Sequence, residues 1–226
     1  VAAQRVPGRP PLKVELAFDL SGRTGNREAA KTGGSVAVIR KTDENRSSLR
    51  FDGSKAEDDD GESSDTLRLR LDHEQDLSRT TNWYARSALE RDEAKALSSR
   101  MTIAAGYGHY FVKGPNLSLR GRAGGAFEHR RFMQHSSETS PALDFSLRQD
   151  LKLGEWGKVV SELSLLPDLR TFNDYRAVHE TDWDVPLRDA PDWALRLGLR
   201  NEYTQQLQGK SERLDTIYTA RVVCAF

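Results

Sequence analysis

Among 226 residues the chain has a single cysteine, Cys224. One thiol excludes an internal disulfide and any cluster of thiolate metal ligands. Its place in an apolar alternation gives it the role of a small hydrophobe. Long apolar runs are missing too, and no stretch approaches the roughly 20 residues that a spanning helix needs. That excludes transmembrane helices but not strands, because a barrel strand crosses with about 9 to 11 residues, every second one facing lipid. Charge of one sign is also lacking. Lys and Arg number 34 and Asp and Glu number 34, so there is no basic field to hold a polyanion and no nucleic-acid partner is expected. A hydrophobic share of 37% beside a charged share of 30% is low for a purely aliphatic core and fits a surface-rich architecture.

What is present is a period of two. In "KVELAFDLSG", Val14, Leu16, Phe18 and Leu20 alternate with Lys13, Glu15, Ala17 and Asp19, which is the spacing of a strand and not of a helix. The same alternation returns in "TLRLRLD", "LSLRGRAGGAF", "ALDFSLRQDL", "WALRLGLRNEY" and "IYTARVVCAF". Weaker copies lie at Val36 and Val38, Leu49 and Phe51, Trp83 to Leu89, Met101 to Phe111, Val159 to Leu165 and Ala177 to Val185. Together they make about twelve strands at a spacing of roughly 16 to 20 residues. The Pro-rich residues 1–12 are read as a tail, and residues 13–226 as one all-β domain. No basic start followed by an apolar run opens the chain, so any secretory signal is expected to have been removed.

The connections alternate as well. "GRTGNREAAKTGG", "SKAEDDDGESSD", "RDEAKALSSR", "HRRFMQHSSETSP", "LPDLRTFNDYR" and "TQQLQGKSERLD" read as long polar loops. "KTDENRS", "VKGPN", "LGEWGK" and "LRDAPD" read as short turns. Long loops on one rim and short turns on the other predict an up-and-down antiparallel transmembrane β-barrel with both termini periplasmic. The inner face is then a charge ladder of Arg68, Arg70, Arg120, Arg122, Arg148, Arg196, Arg200 and Arg221 against Glu15, Asp19, Asp72, Glu90, Asp144, Asp150, Glu162 and Glu202, since enclosed charges need partners. Trp83, Tyr107, Trp156, Trp183, Trp193, Tyr203, Tyr218 and Phe226 are candidates for aromatic girdles. A soluble all-β binding domain, with the charged faces in water, is the distant alternative.

Four stretches carry a family resemblance: "LAFDLSGRTGN", "AAGYGHYFVK", "RTFNDYRAVHETDWDVPL" and "LDTIYTARVVCAF". Their order and spacing make the chain similar to the salt-induced outer-membrane protein family, a domain of unknown function, over nearly all of its length from Lys13. The terminal Phe226 after alternate apolar residues also resembles the sorting signal of bacterial outer-membrane barrels. The resemblance implies a bacterial outer-membrane barrel and no particular chemistry. An outer-membrane barrel is expected to meet membrane lipid and lipopolysaccharide, and the barrel assembly machinery during biogenesis, while a structural or display role leaves room for a protein partner in a surface complex.

No site for catalysis stands out. His73, His109, His129, His135 and His179 show no metal-ligand spacing, and no GxSxG occurs. His109, between Tyr107 and Phe111, is the only histidine placed for work at a lipid face, and an interfacial ring is the simpler reading. Glu57, Asp58, Asp59, Asp60 and Glu62 could hold a divalent cation, yet the spacing departs from the EF-hand and a solvated loop is favoured. "SGRTGN" reads as a turn, not a phosphate cradle. The expectation is a non-enzymatic, cofactor-free barrel for structure or display, with a narrow channel for small polar solutes as its alternative.

Overall fold

The computed structural model describes residues 12–24, 29–57, 63–93, 97–133, 137–205 and 213–226. The strands are β1 Leu12–Thr24, β2 Ala29–Lys41, β3 Asn45–Glu57, β4 Ser63–Asp76, β5 Thr81–Asp92, β6 Leu97–Lys113, β7 Leu117–Phe132, β8 Ser137–Lys152, β9 Lys158–Pro167, β10 Tyr175–Leu187, β11 Ala190–Thr204 and β12 Leu214–Ala225. All pair antiparallel with their sequence neighbours, and β12 returns to β1 to close a twelve-stranded barrel. At the closure Leu16 faces Cys224 and Phe18 faces Val222. Val14 and Phe226 exchange both backbone hydrogen bonds, at 3.1 and 2.9 Å. Closure satisfies the backbone donors that an open sheet would leave at its edges.

Alternation decides which side chain goes where. On β4, Leu67, Leu69 and Leu71 are exposed on the outside, while Arg68 and Arg70 turn inward to ion pairs with Glu90 and Glu180. The outer wall is therefore apolar and the interior charged, the reverse of a soluble core. Among the described residues an apolar island of Ala104, Ala126, Ala142 and Leu166, and other buried apolar residues such as Ala17 and Val223, interrupt the polar interior.

The rim that carries the termini has turns at 42–44, 77–80, 114–116, 153–157 and 188–189, and the far rim has its connections at 25–28, 58–62, 93–96, 133–136, 168–174 and 205–213. Four of the six stretches expected to be long loops are thus mostly strand, whereas 168–174 and 205–213 lie between strands as expected. In "HRRFMQHSSETSP", β7 continues to Phe132 and β8 resumes at Ser137. The physical reason is that ladder hydrogen bonds continue after the apolar period ends, where both faces are polar and periodicity gives no signal. The β8–β9 turn holds a single helical turn, Gly154–Trp156, between two glycines of positive φ, +63° and +94°. A side chain at the second, Gly157, would strike the carbonyl oxygen of Asp184.

Candidate functional site

Among the described residues, chemistry-bearing side chains converge in the lumen, and register shows how. Tyr84, Gly106, Gly124 and Asp144 are successive partners across β5, β6, β7 and β8. The two glycines leave the inner wall bare, so the Tyr84 ring lies along it and its Oη donates to Asp144 Oδ2 at 2.8 Å. A Cβ on Gly124 would come within 2.7 Å of that hydroxyl. Both Tyr84 and Asp144 are fully buried. Arg86 also binds Asp144, and the Arg122 guanidinium stacks 4.8 Å from the Tyr84 ring centre, a cation–π contact.

Toward the rim with the termini, Arg122 on β7 reaches across β5 and β6 to Asp72 on β4, with two bonds of 3.0 and 3.1 Å. Arg120 and Arg122 share Glu74. Arg148 bridges Asp150 at 2.9 Å and Glu162 at 3.0 Å. Arg196 joins Asp184 to Glu15, and Arg221 stands 3.8 Å from Asp19.

Toward the far rim two pairs cross the lumen and a third spans from β10 to β7. Arg70 on β4 contacts Glu180 on β10 at 3.1 Å, and these strands stand opposite each other in the ring of twelve. Arg100 on β6 reaches Glu202 on β11 at 2.9 Å, and Arg176 on β10 reaches Glu128 on β7 at 3.1 Å. The first two hold far walls together in a space where an unpaired charge costs several kcal/mol, roughly.

The structure places every residue of the expected charge ladder on the inner face, and it adds others. Arg50, Asp52, Glu74, Arg86, Arg100, Glu128, Arg130, Arg176 and Glu180 also make lumen ion pairs. Most sit on strands of weak alternation, where a small inward residue such as Ala104 or Ala126 blurs the period. The signal available was simply Arg or Glu two residues from another inward position.

Outside, Trp83 lies opposite Tyr107, Trp193 opposite Cys224, and Trp183 Nε1 donates to the Trp156 carbonyl at 2.9 Å. With Phe226 these gather toward the rim of the termini. Trp156 itself is in the β8–β9 turn, not on a strand. Tyr203 stacks on Tyr175 near the other rim, and Tyr218 faces outward in that half, opposite Leu199.

The histidines stay apart. His73 meets Ser47, His129 meets Thr139 and His179 meets Ser161 through strand-to-strand hydroxyl contacts, and His179 also meets Thr181 on its own strand. His109 packs edge-on against Phe111. His135 lies outside the described residues, so its approach to His129 is not part of this picture. Among the described residues no group of three metal-ligating side chains occurs. Of the acidic stretch, Glu57 ends β3, and 58–62 lie outside the described residues.

Beyond the strands, Asp168 organises the connection 168–174. Burial alone would raise its pKa, but the nearby Ser140 hydroxyl and the backbone N–H groups of Arg170, at 2.6 Å, and Thr171, at 3.3 Å, which donate to its Oδ1, hold it below the ordinary value.

The sequence pattern of DUF481, described as a protein of unknown function, matches residues 14–226. The chain belongs to that family. No curated protein matches its sequence. Among solved structures, the DUF481 barrel is similar to the NanC porin, with 9% identity, a TM-score of 0.57 and coverage of 92% of this chain and 98% of the porin. It is similar as well to the translocator domain of the autotransporter NalP from Neisseria meningitidis, with 14% identity, a TM-score of 0.53 and coverage of 97% and 88%. An outer membrane channel from Pseudomonas putida F1 matches at 10% identity and a TM-score of 0.50, over 99% and 100%. At these identities the likeness is one of fold: the DUF481 chain has the architecture of outer-membrane β-barrels.

Proposed function

We propose that this DUF481 protein is a non-enzymatic outer-membrane barrel whose lumen is closed by its own ion pairs, and that it serves structure or display, alone or as the embedded member of a surface assembly. The observation that carries this is the pair of contacts between far walls, Arg70 to Glu180 and Arg100 to Glu202. Large side chains anchored at both ends occupy the path a solute would take. The exposed apolar outer wall, with Phe18 75% and Leu20 69% exposed, supports lipid as its surroundings over water. The gathering of tryptophan at the rim of the termini supports that rim as the periplasmic interface, with lipopolysaccharide around the other and the barrel assembly machinery as the biogenesis partner.

The test is solute entry into liposomes. Vesicles with the folded protein, its insertion verified by heat-modifiable gel migration, should swell no faster in small sugars than empty vesicles. Swelling at porin-like rates would overturn the closed lumen. A narrow channel for small charged solutes is the second reading, supported by the fold shared with the NanC porin. Under it, neutralising Arg120 and Arg122 changes ion selectivity; unchanged selectivity removes it.

A further inference from the structure

On the outer wall, starting at the rim of the termini, a groove of about 450 Å³ runs across β2 to β6. Register explains its shape. One outward row, Arg40, Ser47, His73, Ala85 and Ala105, follows partner positions across five strands. Beside it on the barrel's middle side runs a taller row that includes Leu49, Leu71 and Ile103. On the rim side Trp83 and Tyr107 stand opposite each other. His73 is fixed by Ser47, whose Oγ lies 2.8 Å from its Nδ1, and its ring leans on Trp83 at 5.1 Å. The small side chain of Ala85 leaves the depression between these taller rows, and Ser87 lowers the taller row between Leu71 and Ile103. Because strands in a barrel are tilted, a row along the hydrogen-bonding direction climbs from the rim into the apolar band.

The low end of the groove is cationic. Arg40 lines it, is exposed, and has no ion-pair or hydrogen-bond partner among the described residues. Arg79 on the adjacent turn is exposed too, against Asp43 and Glu44 on the 42–44 turn, while Lys41 follows Arg40 onto the other face of β2. A groove that is apolar along its length and ends at a free guanidinium at the interface matches a molecule with an apolar chain and an anionic head. Its volume lies within the range of about 300–1,000 Å³ of small-ligand sites.

We propose that this groove holds one anionic phospholipid, its phosphate at Arg40 and one acyl chain along the Ala85 floor. The proposal rests on the reading that the outer wall meets lipid. A zwitterionic lipid fits the apolar part equally and gains less from the cationic end.

The test uses the full chain with Trp83 as its only tryptophan, after Trp156→Phe, Trp183→Phe and Trp193→Phe, folded into phosphatidylcholine vesicles. Brominated phosphatidylglycerol or brominated phosphatidylcholine is added at equal mole fraction and Trp83 fluorescence quenching is recorded. The expected result is several-fold stronger quenching by the anionic lipid. Arg40→Ala should abolish the preference by removing the charge, and Ala85→Phe by filling the groove. Equal quenching by the two lipids, or a preference that survives Arg40→Ala, overturns the site and leaves the membrane barrel standing. No quenching by either lipid overturns both.

Discussion

Phe18 and Asp19 are neighbours in β1 and live in different solvents. Phe18 is among the most exposed apolar side chains of the molecule, whereas Asp19 turns inward toward Arg221. The same division runs through most strands, with an outer wall made largely by single apolar residues and an inner wall made largely by charges that depend on one another. The outer wall is additive and the inner wall is a network. A change outside should cost what that one residue costs in lipid, and a change inside should cost what its partners lose.

The largest expected effect is therefore inside. Arg100→Ala leaves Glu202 and Glu90 short of a shared guanidinium and should destabilise the barrel by about 3–5 kcal/mol, measured by urea unfolding in lipid vesicles. A loss below about 1 kcal/mol, the scale of an exposed pair, would mean the inner wall is not a network. Outside, Leu69→Arg should cost about 2–4 kcal/mol if that position sits near the bilayer midplane and less toward an interface, with unfolding in vesicles again the readout. No cost at all would contradict lipid as the outer solvent.

Adjacent glycines sharpen the contrast. Gly124 points inward beneath the Tyr84 hydroxyl, and Gly125 points outward with nothing within 4 Å of where a Cβ would stand. Gly124→Ala should cost about 1–3 kcal/mol through overpacking, while Gly125→Ala should stay within about 0.5 kcal/mol. Equal effects would show that Tyr84 does not lie over the glycines.

The smallest effect belongs to the connection 168–174. The Asp168 pKa is lowered on folding, so its contribution is fully present above the ordinary carboxylate value and is lost as pH falls through the folded value. Hydrogen exchange at the Arg170 and Thr171 amides should stay slow down to about pH 4 and accelerate below it. Exchange independent of pH, once intrinsic rates are corrected for, would remove the Asp168 anchor.

How much of this was legible beforehand differs between the same two walls. Strands β4, β11 and β12 announce both faces, because bulky outward residues alternate with charged inward ones. In β6 and β7 the inward Ala104 and Ala126 weaken the period, and in β9 and β10 outward Ser161 and His179 do the same. The partners across the lumen were not legible. Arg70 and Glu180 lie 110 positions apart, and alternation places each on the inner face without saying which residue it meets. That depends on register accumulated around the ring, one strand pair at a time. Loop lengths were overread for a related reason, since a polar stretch carries no period even where its backbone continues the ladder.

The most direct test of the central claim is single-channel current in planar bilayers for the wild type and for the double variant Glu180→Ala and Glu202→Ala, each shown to be folded by heat-modifiable migration. A lumen closed by ion pairs predicts a silent wild type and conductance steps in the variant, whose Arg70 and Arg100 have lost their anchors on the far wall. Stable steps in the wild type, unchanged in the variant, would contradict it.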